Sequence, residues 1–244
     1  MTYLAKILGY LLRFIYDFLA NSSTEPQAVS FYALSIIIIT VIIKFITIPI
    51  TIKTQKSSQQ MGELQPEVDK LKKKYGYDPK VLQEKTQQLY KEKGVSTMGC
   101  SSCLMVLVQF VILLALLRVI RQPNVYMFDS QAQFDSIARN FLWIKDLNLK
   151  DPLWYGLPLM TSLSQFGVTL FTTKTNKAQQ NSQMASMNTM FLIMPLAYYF
   201  AFRSMAAALP LYWTLSSIIE IIFRFVMHFF FDKEKEKEKE EKSK

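Results

Sequence analysis

The chain has 244 residues, of which 50% are hydrophobic and 19% charged, and a formal charge of +9 at pH 7. Seven glycines and nine prolines exclude a collagen-like or low-complexity chain, and two cysteines exclude a disulfide scaffold. One histidine, His228, argues against a His-based metal site or a Ser/His-type triad, so neither a metal nor a cofactor is expected.

The apolar residues gather into blocks of about 17–25, the length that crosses a bilayer core of roughly 30 Å at about 1.5 Å per residue. The first element, Met1–Ala20, opens like a signal peptide, but Arg13 and Asp17 interrupt its apolar run and no A-x-A site follows. Thr2, Lys6, Gly9, Arg13, Asp17 and Asn21 recur every three or four residues among Leu4, Ile7, Leu8, Leu11, Leu12, Ile15 and Phe18. This predicts an extracytoplasmic amphipathic helix lying in the membrane interface. Five transmembrane helices are predicted next: Val29–Ile52, Cys100–Ile120, Leu153–Thr173, Ser186–Phe202 and Leu209–Phe231.

Between the first two spans, Lys53–Thr97 is polar, with Leu64, Val68, Leu71 and Tyr75 at helical spacing, then Val81, Leu82 and Leu89. The Gly76–Pro79 stretch breaks the pattern, predicting a helical hairpin. Its ten basic and six acidic residues fit two accounts: a solvated, membrane-attracted hairpin, or a docking surface for a ribosome or targeting partner. Segment 121–152 joins the second and third spans, and the loop 174–185 joins the third and fourth. The tail Asp232–Lys244 alternates Lys and Glu and is expected to be solvated, helical or disordered. Orientation follows from the Lys and Arg count: eighteen lie in the hairpin, the 174–185 loop and the tail, against six in residues 1–28, 121–152 and 204–207. The rich side is cytoplasmic. The amino terminus is therefore expected outside and the carboxyl terminus inside.

Lys44 is the most informative residue. It stands eight residues before Ile52, about 12 Å from the cytoplasmic end of its span. A charge at that depth costs a few kcal/mol and marks function by default, with snorkelling as the rival account. Thr40, Lys44, Thr47 and Thr51 form one polar stripe on the first span, and Trp213, Ser217, Glu220, Arg224 and His228 form another on the fifth. Thr161, Gln165, Thr169 and Thr172 on the third span and Ser102 and Gln109 on the second add further polar positions. Several such faces together imply a water-containing cavity among the helices, although small hydroxyl residues also pack helices together. Pro49 leaves a backbone carbonyl unpaired near the lysine. Glu220 has two candidate partners, Arg224 at i+4 and Lys44 at similar depth, and helical spacing does not choose between them. Cys100-Ser-Ser-Cys103 sits where a membrane helix begins, outside any redox or zinc context. No phosphate-binding glycine-rich loop is present, so no nucleotide hydrolysis is expected.

Several stretches resemble the YidC/Oxa/Alb family of membrane protein insertases in its short, Gram-positive-like bacterial form. They include Ile43-Lys44-Phe45-Ile46-Thr47-Ile48-Pro49-Ile50 running to Gln55 and Ser57-Ser58, then Met61 and Leu64-Gln65-Pro66-Glu67. Leu71-Lys72-Lys73-Lys74-Tyr75, Leu89-Tyr90-Lys91-Glu92-Lys93-Gly94-Val95, Gly99-Cys100 with Gln109, and Leu211-Tyr212-Trp213-Thr214 complete the set. The resemblance covers roughly Phe14 to Phe231. It implies five membrane helices around a hydrophilic groove, open to cytoplasm and lipid, with a cytoplasmic hairpin and an amphipathic first helix.

In that family a positive residue of the first span, usually arginine, attracts substrate. Lys44 holds that position here and keeps the charge without the guanidinium fork. Other departures are Ser96-Thr97-Met98 and Ser101-Ser102 where the family has prolines, Ala206-Ala207-Ala208 in place of Pro-Ala-Gly, and the presence of Glu220 and Arg224. With no cysteine before Cys100, no amino-terminal lipid is expected.

The reading is an insertase and membrane protein chaperone of the bacterial cytoplasmic membrane, without enzymatic turnover. Nascent membrane proteins and the lipid bilayer are its partners, with ribosome, signal recognition components and the Sec translocon as further candidates. Lys44, Thr40, Thr47, Gln109, Gln165, Trp213, Ser217 and Glu220 are the expected substrate contacts. Two rivals remain: a small ion or solute transporter using a Lys44–Glu220 pair, and a structural scaffold. The first lacks an internal repeat and has no need of the hairpin; the second leaves the polar faces unexplained.

Overall fold

The computed structural model of the protein describes residues 2–95, 101–175 and 185–242. Gly99-Cys100, Ser96-Thr97-Met98 and most of the 174–185 loop lie outside the described residues. Among those described, ten α-helices and a few isolated β-bridges make up the regular structure. The helices are α1 (Thr2–Ser22), α2 (Phe31–Glu63), α3 (Gln65–Tyr75), α4 (Pro79–Glu92), α5 (Ser101–Arg121), α6 (Pro123–Tyr126), α7 (Gln131–Ser136), α8 (Leu157–Thr175), α9 (Ala185–Arg203) and α10 (Ala208–Lys242). Two of them, α2 and the Ala208–Met227 stretch of α10, are long and apolar enough to cross a membrane by length and composition.

The chain divides into two compact units. The first comprises Met1–Arg13, Phe45–Ser136 and Thr172–Met194. Here Gly9 of α1 lies so close to the Tyr126 carbonyl that a Cβ would collide with backbone. The Arg13 guanidinium sits 4.7 Å from the centroid of the Phe128 ring. The α3–α4 hairpin breaks at the Gly-Tyr-Asp-Pro stretch for a local reason. Asp78 accepts from the Lys80 and Val81 amides at 3.0 and 3.2 Å, and Pro79 takes the first helical position. At the other end of α4, Gly94 adopts φ +67°, and the Val95 amide donates to the Tyr90 carbonyl at 2.9 Å. That left-handed cap is one glycine tolerates and other residues resist.

The second unit comprises Phe14–Lys44, Ile137–Phe171 and Pro195–Lys244. Ser30 caps α2, its hydroxyl accepting from the Ala33 amide at 3.2 Å. The run Ile36-Ile37-Ile38-Ile39-Thr40-Val41-Ile42-Ile43 is β-branched throughout, yet it is helical. In hydrocarbon a helix satisfies every backbone group within one segment, and that requirement outweighs intrinsic propensity. Before α8, the Asp151 carboxylate accepts from the Leu153 amide (2.9 Å), the Leu157 amide (2.6 Å) and the Trp143 indole (3.1 Å). The Leu147 and Leu149 carbonyls accept from Ala208 and Ala207 at 2.9 and 2.7 Å, tying the 137–156 segment to the start of α10.

Three differences from the sequence reading have physical causes. First, α2 does not end with its apolar block at Ile52 but continues to Glu63, because polar residues sustain helical hydrogen bonds as well as apolar ones do. It stops where Pro66 cannot donate to the preceding turn. Second, α8 starts at Leu157, where Asp151 caps it, rather than at Leu153. Third, α1 does not divide into one polar and one apolar face. Ala5, Leu8, Gly9, Leu12 and Ile15 are buried, while Tyr3, Ile7, Tyr10, Phe14 and Phe18 are exposed. One apolar face therefore packs on protein and a second is left outward.

Candidate functional site

Helical spacing sets Lys44 on the face of α2 that also carries Thr40, and sets Trp213, Ser217, Glu220 and Arg224 on one face of α10. The structure joins these faces through charge. Lys44 Nζ lies 3.0 Å from Glu220 Oε2, with only 10% of the lysine side chain and 20% of the glutamate exposed. The other carboxylate oxygen, Oε1, accepts from Arg224 Nε at 3.0 Å and Nη2 at 2.6 Å. Glu220 thus answers both candidate partners at once. Two cations share one carboxylate, and their burial strengthens both contacts.

A second, neutral cluster sits one turn along α10. Gln165 Oε1 on α8 accepts from the Trp213 indole at 3.0 Å and the Ser217 hydroxyl at 3.4 Å. Trp213 is buried against Tyr198 and Phe202, with ring centroids 5.3 and 5.4 Å away. Deeper in the same contact, the Thr161 and Thr214 hydroxyls meet at 2.8 Å, and Thr161 also donates to the Leu157 and Pro210 carbonyls. Thr40 is fully buried and donates to the Ile36 carbonyl at 2.6 Å. Thr47 and Gln109 are half-buried and belong to the first unit, where the Thr47 carbonyl accepts from Thr51.

Of the expected contacts, the structure therefore brings together Lys44 with Glu220, and separately Gln165 with Trp213 and Ser217. Arg224 was outside the expected set although its i, i+4 spacing to Glu220 was visible. Thr214 gave no signal beyond its place in the Leu-Tyr-Trp-Thr stretch. Among the described residues there is no group of three or more His, Cys, Asp or Glu side chains arranged to hold a metal ion.

The family model of the 60Kd inner membrane protein matches residues 25–235. The chain belongs to this family. It is 35% identical to the membrane protein insertase YidC of Fusobacterium nucleatum over 223 residues, covering 91% of this chain and 95% of the relative. It is 32% identical to the YidC of Clostridium tetani over 221 residues, 91% of either chain. Among solved structures it is similar to an active YidC insertase with its first transmembrane domain resolved, at a TM-score of 0.59 and 27% identity. That match covers 87% of this chain but 44% of the solved one, so the present chain spans less than half of that protein. These YidC relatives share the helical fold in which the Lys44–Glu220 contact sits.

Proposed function

We propose that this chain, a bacterial inner-membrane insertase by family, receives the polar, translocated segment of a membrane protein at the positive charge of Lys44 and releases its apolar segment to lipid. The observation that carries this reading is the contact of two cations, Lys44 and Arg224, with the Glu220 carboxylate on the polar faces of two long apolar helices. Five membrane helices around a hydrophilic groove would shorten the low-dielectric path such a segment crosses, lowering a barrier set by buried charge and unpaired backbone. Gln165 offers it a further polar contact, while Thr40, Trp213 and Ser217 hold the surrounding shape. Hydrophobic partitioning drives the step, and the membrane potential adds about 2.3 kcal/mol per acidic residue per 100 mV. No covalent chemistry is needed. Nascent membrane proteins are the substrates, and the basic Lys53–Thr97 hairpin is the surface for a ribosome, targeting or translocon partner.

Purified protein in liposomes should insert a small single-span substrate to a protease-protected state, without leak of small solutes. Solute flux without insertion would favour the transporter reading, for which a close Lys44–Glu220 pair is also suited. Orientation has its own check, with Cys100 and Cys103 first replaced by serine. In intact cells Lys72→Cys should resist a membrane-impermeant thiol reagent and Asp135→Cys should react; the reverse pattern would overturn the cytoplasmic placement of the hairpin.

A further inference from the structure

Lys44 is not waiting empty: a carboxylate of the chain itself already holds it. We infer that Glu220 is a built-in occupant of the cationic site, displaced from Lys44 by an acidic residue of the incoming segment and retained after displacement by Arg224. This rests on the insertase reading and adds to it how acidic segments are selected.

The geometry supports an exchange because the two oxygens of Glu220 have separate duties. Oε2 faces Lys44 at 3.0 Å, while Oε1 takes both contacts from Arg224, at 3.0 and 2.6 Å. A substrate carboxylate that replaces Oε2 at Lys44 removes one ion-pair contact and makes another, leaving the arginine contacts intact. Before the exchange, Lys44 is not left as an unpaired buried charge, which would be costly. After it, Glu220 is not left unpaired either, because Arg224 lies one turn away on its own helix and stays in reach however α2 shifts. The exchange trades one carboxylate for another at Lys44.

A neutral segment brings no carboxylate to Lys44 in place of Glu220, so it has no part in the exchange. Glu220 is therefore a competitor of the substrate carboxylate, and its occupancy of Lys44 lowers the advantage that an acidic segment has over a neutral one. Arg224 is a positioning residue that touches the competitor rather than the substrate. Partial exposure of the lysine and glutamate side chains, 10% and 20%, leaves an approach to the contact.

The test uses the full chain in proteoliposomes with a photocrosslinking amino acid at Ile48, one turn from Lys44 on α2. Two single-span substrates are compared, bearing one Asp or one Asn at the same place in the translocated segment. The readout is the Asp-to-Asn ratio of crosslink yields. The double variant Glu220→Gln, Arg224→Gln keeps the net charge of the triad but removes the competitor, and avoids the two uncompensated cations that Glu220→Gln alone would leave.

If the competitor occupies Lys44 about two-thirds of the time, the ratio should rise about threefold in the double variant. A ratio equal to that of the unaltered chain means that net charge alone matters and overturns the inference. Arg224→Gln alone, which leaves the displaced carboxylate without an acceptor, should lower the ratio; an unchanged or higher one overturns the role of Arg224. If the unaltered chain inserts neither substrate, the insertase reading fails. If it inserts both and the double variant matches it, only the competitor inference fails.

Discussion

Two largely shielded ion contacts of the second unit resemble each other in distance and differ in the number of cations on the carboxylate. Arg139 Nη2 meets Asp146 Oδ2 at 2.8 Å, with 17% and 21% of the two side chains exposed. Lys44 meets Glu220 at 3.0 Å with similar exposure. The first pair is neutral and lies in a segment laced by backbone bonds: the Leu147 amide donates to the Arg139 carbonyl, and the Asn148 amide to Asp146 Oδ1. The second joins α2 and α10 through side chains, and its carboxylate also accepts from Arg224. Similar geometry thus serves two ends. A pair anchored in backbone fixes a loop, whereas a carboxylate with two cations between helices suits the exchange proposed above.

The comparison is broken most directly at Lys44. Lys44→Ala and Lys44→Glu should reduce insertion of an acidic single-span substrate by tenfold or more, about 1.4 kcal/mol of lost attraction, read by protease protection in proteoliposomes. Lys44→Arg should retain insertion, since it keeps the charge. Normal insertion of acidic substrates by Lys44→Ala would remove the lysine from the mechanism. At the other contact, Arg139→Ala should cost about 1–3 kcal/mol of stability in denaturant titrations, because Asp146 is left without its cation. It should depress acidic and neutral substrates alike; a selective loss of acidic ones would erase the distinction between the two contacts.

Smaller changes sharpen the same contrast. Asp151→Asn removes a charged acceptor from the start of α8 and should destabilise by about 1 kcal/mol, with earlier thermal unfolding and no change in substrate preference. Thr161→Val deletes the hydroxyl contact with Thr214 between α8 and α10. A bond of that kind between membrane helices is worth about 0.6 kcal/mol, so the variant should insert normally and unfold slightly sooner. A loss of acidic-substrate preference in Thr161→Val would show that the neutral cluster, and not only the triad, governs selection.

Much of this was visible in the residues themselves. Lys44 stands out because a charge inside an apolar block is expensive, and Glu220 with Arg224 stands out because i, i+4 spacing puts them on one face. The hairpin break was equally visible, since Asp78 and Pro79 act locally on the backbone next to them. What escaped was of a different kind. Gln165, Trp213 and Ser217 stand in the sequence as separate expected contacts; that Gln165 bonds the other two, 48 and 52 residues away, is not legible there. The end of α2 escaped because hydropathy marks where hydrocarbon stops, not where helical hydrogen bonding stops.

The sequence by itself determined the helical class, the apolar blocks, the charge asymmetry and the residue types at each helix face, because these depend on neighbours within a few turns. The tertiary structure alone decided that Glu220 holds Lys44 across 176 residues while also holding Arg224. Periodicity sets which side chains share a face of one helix. Which two faces meet, and with what balance of charge, is settled only when the helices pack.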